Sequence, residues 1–199
     1  MYEEVISLTG KEPGPSSVVL VGVHGNEKCG VRALESLLPD LVVEKGNIFF
    51  LYGNPEAIIN NKRFTDSNLN RLFLEDKNLS QKEKLSYEYQ RAQVIKKYLD
   101  QGEVLLDIHS SNTPGSLPFV ICEENGYHVA KDLSLGLIVS GFDEIQPGAT
   151  ESYMNKRGKI GLCVECGYTE DPSSSSVALN VIQNFLVSRG HIQGFSENT

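Results

Sequence analysis

Val18-Val19-Leu20-Val21-Gly22-Val23-His24-Gly25-Asn26-Glu27 is the stretch on which the reading of this chain turns. It opens as an apolar run rich in valine, without the polar alternation of a strand that has one wet face. It therefore reads as a strand buried on both sides. The run stops abruptly at a histidine, a glycine, an asparagine and a glutamate. Beyond it, Val31, Leu34, Leu37 and Leu38 fall on one face of a helix predicted over residues 29–38. A buried strand, a polar turn and a helix make the opening of an α/β fold, and open α/β sheets bind ligands outside the carboxyl ends of their strands. His24 and Glu27 stand at such an end, where an imidazole and a carboxylate can face one metal ion.

Working outward, the bulk of the sequence sets bounds. A chain of 199 residues with 40% hydrophobic and 22% charged residues has the makings of one ordinary globular domain with a full core. The formal charge of −8 offers no basic stripe for nucleic acid, so an anionic substrate would have to be drawn in by local arginines. No apolar run is long enough to span a bilayer, and MYEEVISLTG lacks the pattern of a signal peptide, so a cytoplasmic protein without a membrane partner is expected. Homo-oligomerisation is left open. The four cysteines, Cys29, Cys122, Cys163 and Cys166, are too few and scattered for a disulfide scaffold. Cys163 and Cys166 fall inside an apparent strand and read as buried thiols, which pack as small hydrophobes.

In chain order, residues 1–17 read as a lead strand followed by a loop around Pro13-Gly14-Pro15. Ile48 to Tyr52 is a second buried strand, ending at the turn Gly53-Asn54-Pro55. Residues 56–61 read as a helical turn, and 62–73 as a polar loop holding Arg63 and Arg71, for which a solvated surface is the plain alternative. Leu85, Tyr89, Ala92, Ile95 and Leu99 predict one long helix over 82–99. Val104 to His109 is the third strand, on which Asp107 and His109 share a face. Strands over 118–122 and 135–139 and a helix over 128–133 follow. Residues 141–159 lack periodicity and read as a long loop. Ile160 to Glu165 is the last strand, and a final helix starts at Asp171-Pro172-Ser173. His128 and His191 have no such context and read as surface residues, the latter in a polar tail.

Three buried strands thus end in His24 with Glu27, in His109 and in Glu165. Strand ends of one polarity gather at one sheet edge. Two histidines and a carboxylate make a three-ligand zinc set, one ion per chain, with a position left open for water; carboxypeptidase A uses the same types. Asp107 is placed to accept the second ring N–H of a ligating imidazole. Glu165 is then free as general base, taking a proton from water and passing it to the leaving amine. Arg63 can stabilise the developing oxyanion. Arg71, beside Asn70, can fork a substrate carboxylate.

His24-Gly25-Asn26-Glu27, Asn68-Leu69-Asn70-Arg71, Asp107-Ile108-His109-Ser110 and Val164-Glu165-Cys166-Gly167 together resemble, in order, the motif series of the succinylglutamate desuccinylase/aspartoacylase family, relatives of the zinc carboxypeptidases. The resemblance implies an α/β fold: a three-layer, zinc-carboxypeptidase-like domain with a central mixed, mostly parallel sheet and helices on both faces. It implies zinc on His24, Glu27 and His109, Glu165 as catalytic base, and Arg63 at the carbonyl oxygen. It also implies substrate binding by Asn70 and Arg71. A tyrosine and an arginine four apart before the last catalytic strand belong to the same pattern, which makes Tyr153 and Arg157 candidates for the substrate pocket. Two departures stand out. Asn68 replaces the family's usual aspartate. Well-known members also carry a C-terminal β-rich domain that narrows the channel, whereas here one catalytic domain over 1–190 and a polar tail over 191–199 are expected.

The expected activity is zinc-dependent hydrolysis of the amide of an N-acylated amino acid or similar small anionic substrate. A metallocarboxypeptidase acting on short peptides uses a similar carboxylate anchor and is the enzymatic alternative. A non-catalytic metal-binding domain that retains the fold would need neither Glu165 nor Arg63. The plainest reading of all is an α/β protein whose strand-end histidines are incidental.

Overall fold

A computed structural model describes residues 4–194. Its strands are β1 (Val5–Thr9), β2 (Glu12–Val21), β3 (Lys45–Tyr52), β4 (Val104–Ser111), β5 (Phe119–Cys122), β6 (Ile138–Val139) and β7 (Ile160–Tyr168). They form one sheet in the order β1-β3-β2-β4-β7-β5-β6. β3, β2, β4 and β7 run parallel, as do β5 and β6. The antiparallel pairs are β1 with β3 and β5 with β7. The sheet is mixed and mostly parallel, as expected.

The helices are α1 (Cys29–Leu37), α2 (Pro55–Ile59), α3 (Gln81–Lys84), α4 (Tyr87–Leu99), α5 (Tyr127–Asp132), α6 (Phe142–Ile145), α7 (Thr150–Asn155) and α8 (Ser173–Ser188). Because successive strand residues point to opposite faces, β2 divides its apolar run between two cores. Val19 and Val21 pack with α1, α5 and α8, whereas Val18 and Leu20 pack with α4 and α7. The result is three layers. No helix among the described residues is long and apolar enough to cross a membrane.

Four local readings need correction. Pro13-Gly14-Pro15 lies within β2, not in a loop. The ladder with β3 pairs Glu12 with Lys45 and resumes at Ser16 with Asn47, leaving both prolines in a bulge where no N–H is required. The helix expected over 82–99 is broken at Ser86, whose side chain caps α4 by accepting from the Tyr89 N–H, and Leu85 is left exposed in the break. The stretch 141–159 is not a loop throughout but carries α6 and α7. His191 is not at the surface: its ring is fully buried, with Nε2 2.8 Å from Ser17 Oγ and Nδ1 2.8 Å from the Lys45 carbonyl. His128 is exposed, as expected. Of the expected polar tail, residues 195–199 lie outside the described residues.

The apparent Cys-x-x-Cys motif lies within β7. Cys166 joins the core beneath α1 and α8, whereas Cys163 is on the opposite face of the sheet, so the two thiols do not form a chelating pair. All four cysteines are free and buried.

Candidate active site

The parallel run of β2, β4 and β7 brings three carboxyl ends to one sheet edge. Asp107 and His109 on β4, and Cys163 and Glu165 on β7, all fall on the face covered by α4 and α7. In the ladder His109 stands directly opposite Glu165.

Two glycines set the turn after β2. Gly22 has φ +66°, a left-handed conformation that turns the chain out of the strand, and a Cβ there would lie 2.5 Å from Ile58 Cδ1. Gly25 lets the backbone run against α2, since a Cβ would come within 2.1 Å of the Ala57 carbonyl carbon. His24 and Glu27 are thereby directed inward, and both are buried.

Glu27 sits between the two imidazoles. Its Oε1 is 2.8 Å from His24 Nδ1 and its Oε2 is 2.9 Å from His109 Nδ1. Oε1 also accepts from Arg63 Nη1 at 2.9 Å, and Oε2 from the Ser110 N–H at 3.2 Å. The two rings meet edge to face, with centroids 5.1 Å apart. On their far sides, His24 Nε2 is 3.0 Å from Asn68 Oδ1, and His109 Nε2 is 3.1 Å from Asp107 Oδ2. The Asn68 oxygen also accepts from the Asn70 N–H, which ties His24 to the short turn Leu69–Arg71. Burial alone would raise the Glu27 carboxyl, but its bonds to His109 and His24 outweigh that and hold it well below the usual carboxylate range. Burial would likewise depress His109; the carboxylates of Asp107 and Glu27 override it and raise the ring well above its ordinary value.

The donor set fits a divalent metal. One ligand atom each from His24, Glu27 and His109 lie within 4.8 Å of one another. His24 Nδ1, although close to Glu27, is buried and lacks a properly aligned hydrogen bond. Such an unsatisfied nitrogen beside a carboxylate, with its other ring nitrogen held by an amide, is the geometry a metal ligand requires.

A cavity of about 350 Å³ opens beside these three residues. Arg63, Asn70, Arg71 and Glu165 line it. Glu165 Oε2 is buried without a hydrogen-bond partner, and burial raises its carboxyl despite the opposing charge of His109. Asn70 Oδ1 accepts from the Thr150 N–H, and Arg71 Nη1 donates to the Asn70 carbonyl. Burial, and then the like charge of Arg63, lower Arg71.

Tyr153 and Arg157 do not line this cavity. Tyr153 is buried against Phe73, its hydroxyl donates to Asp100 Oδ1 at 2.9 Å, and the Arg157 guanidinium stacks 3.5 Å over its ring. The reason is the helical geometry of α7. At about 100° per residue, a side chain two positions on points to the opposite side. Glu151, not Tyr153, occupies the inward face and lines the cavity.

Glu151 and Glu88 were not singled out by the sequence reading. Glu88 is fully buried on α4. Its Oε1 accepts from Asn54 Nδ2 (3.0 Å) and the Thr65 N–H (2.6 Å), and its Oε2 from the N–H groups of Asp66 (3.1 Å) and Ser67 (3.0 Å). It thus holds the loop between Arg63 and Asn68. Its signal was present in the spacing, since Glu88, Ala92, Ile95 and Leu99 share a helix face.

Comparison with known proteins accords with this geometry. Residues 13–188 match the family described as the succinylglutamate desuccinylase/aspartoacylase catalytic domain. The succinylglutamate desuccinylase of Shewanella frigidimarina is 33% identical over an alignment 120 residues long that covers 54% of this chain and 34% of that protein. Among solved structures, the product-bound ectoine utilization protein EutE (DoeB) from Ruegeria pomeroyi superposes with a TM-score of 0.79 at 20% identity, over 97% of this chain and 62% of that one. Product-bound cell shape determinant Csd4 from Helicobacter pylori gives 0.80 at 18% identity, over 98% and 57%. The chain therefore spans only about a third of that curated relative and about 60% of those solved chains.

Proposed function

Because this chain belongs to the succinylglutamate desuccinylase/aspartoacylase catalytic-domain family, we propose that it is a zinc-dependent hydrolase that cleaves the amide bond of an N-acylated amino acid or similar small amide. One observation carries the reading: an unpartnered, buried carboxylate oxygen on Glu165 faces the same cavity as the His24, Glu27 and His109 set. Zinc on those three residues would supply Lewis acidity toward water and the scissile carbonyl.

The remaining steps belong to the chain's own side chains. Glu165 accepts the proton of the attacking water and returns it to the leaving nitrogen, a task suited to a carboxyl raised by burial. Asp107 and Asn68 fix the two imidazoles from behind. Arg63 stabilises negative charge as it develops on the carbonyl oxygen. Asn70 and Arg71 orient a substrate carboxylate. A reducing, cytoplasmic setting suits the four free thiols.

The test is Glu165→Gln. Hydrolysis of N-acyl amino acids should fall at least ~10²–10⁴-fold, the usual worth of a general acid–base group, while zinc stoichiometry measured by mass spectrometry stays at one. Turnover retained in the variant would remove Glu165 from this role. Dipeptides run in the same assay separate a deacylase from a carboxypeptidase.

A further inference from the structure

We infer that the cavity recognises an acylated substrate bearing a free ammonium group as well as a carboxylate, with Glu151 receiving the ammonium and Arg71 the carboxylate. The inference rests on the proposed hydrolase reading and names its substrate class more narrowly.

Glu151 is only 3% exposed, yet it lines the cavity. Its Oε2 is 3.3 Å from Thr150 Oγ1, but that hydroxyl has one hydrogen and lies much closer to Asp107 Oδ2. Among the described residues no lysine, arginine or histidine pairs with Glu151. A buried carboxylate without a counter-ion is costly, and burial accordingly pushes this one up to about 7. The group is not a further metal ligand, because the cluster of convergent donors contains His24, Glu27 and His109 and not Glu151. Nor does it duplicate Glu165, which faces His109 across the ladder, whereas Glu151 belongs to the α7 wall.

Its neighbour in the cavity is Arg71. The two charges are near enough for Glu151 to act on the guanidinium, but they do not close into an ion pair; Arg71 Nη1 turns instead to the Asn70 carbonyl. A cation and an anion thus face the same space side by side, each lacking a full partner. A ligand with carboxylates alone would be drawn by Arg71 and repelled by Glu151. A ligand carrying both charges satisfies the two together, and each contact is a charge-assisted hydrogen bond.

Matched probes isolate the ammonium. N6-acetyl-lysine and 6-acetamidohexanoate differ only in the α-ammonium group, as do 4-acetamido-2-aminobutanoate and 4-acetamidobutanoate at shorter reach. The zinc-loaded protein should favour the ammonium-bearing member of at least one pair about tenfold or more in kcat/KM, through KM, in line with a hydrogen bond to a charged group. Glu151→Gln, checked for unchanged zinc content, should bring that ratio close to one. Calorimetric binding of the same pairs to the zinc-loaded Glu165→Gln variant gives the answer independently of turnover. Equal handling of both members, persistence of the preference in Glu151→Gln, or no binding of any ammonium-bearing probe overturns the inference. None of these results touches the hydrolase reading, which stands or falls on Glu165→Gln with ordinary N-acyl amino acids.

Discussion

Replacing Glu88 by glutamine tests whether one carboxylate holds the arginine-bearing loop. The side chain keeps its shape, so the packing of α4 against the 65–67 loop is conserved and only the hydrogen-bond count changes. Four donors converge on two oxygens in the native protein. A glutamine has one oxygen, which can satisfy the pair on one side, while its NH₂ faces two more donors whichever way the amide is turned. A buried donor left without a partner costs ~1–3 kcal/mol. The Asn54 amide is buried but the three loop N–H groups are only partly so, which puts the two lost bonds toward the low end of roughly 2–6 kcal/mol. Against a total stability of about 5–15 kcal/mol for a domain, such a loss is relieved most cheaply by releasing residues 65–67. Hydrogen exchange reads this directly. Protection of the Thr65, Asp66 and Ser67 amides should fall about 30-fold or more, which is ~2 kcal/mol at 1.4 kcal/mol per decade, and Km for an N-acyl amino acid should rise as Arg63 loses its fixed position. Urea unfolding of the same variant shows how much of the cost reaches the whole fold. Unchanged exchange at all three amides together with an unchanged urea midpoint would refute the argument.

Gly25→Ala should lower stability by ~1–3 kcal/mol, the usual range for overpacking, and weaken zinc binding at least tenfold in chelator competition, because the new Cβ must push the His24 turn away from Ala57; native-like affinity would show that this close approach does not position His24. A further prediction concerns pH. The Glu151 carboxyl lies at about 7 in the fold against an ordinary 4.5, so between these values the native state binds more protons than the unfolded chain, and stability falls as pH rises. Metal-free Glu151→Gln should therefore gain on the native chain from pH 4.5 to above 7, by on the order of 3 kcal/mol at the upper end. A constant difference between the two across that range in urea titrations would contradict it.

The parts of the site that were legible in the sequence are those that interrupt a buried strand. His24, His109 and Glu165 follow runs of valine, leucine and isoleucine, and a polar residue in that position has few plain structural reasons to be there. The shared face of Asp107 and His109 follows from the two-residue period of a strand. Elements whose buried face is polar were not legible. In α7 the residues Thr150, Glu151 and Ser152 are buried, so no apolar stripe marks the helix, and a six-residue helix has little stability of its own apart from the packing of Tyr153 and Met154. Once that helix was read as a loop, the spacing of Tyr153 and Arg157 pointed to the wrong side. His191 was illegible for another reason: its partners, Ser17 and the Lys45 carbonyl, lie more than a hundred residues away in sequence.

The position of β7 bears on how the chain can be made. Although residues 160–168 are the last of the seven strands to be synthesised, they lie between β4 and β5. Until they emerge from the ribosome, β4 has one bare edge, and the β5–β6 pair has no other strand to join. Unpaired edges of this kind invite pairing with other chains. A nascent protein ending before residue 160 would accordingly be sticky, not a smaller folded version of this one, and chaperone demand should peak just before that strand is released.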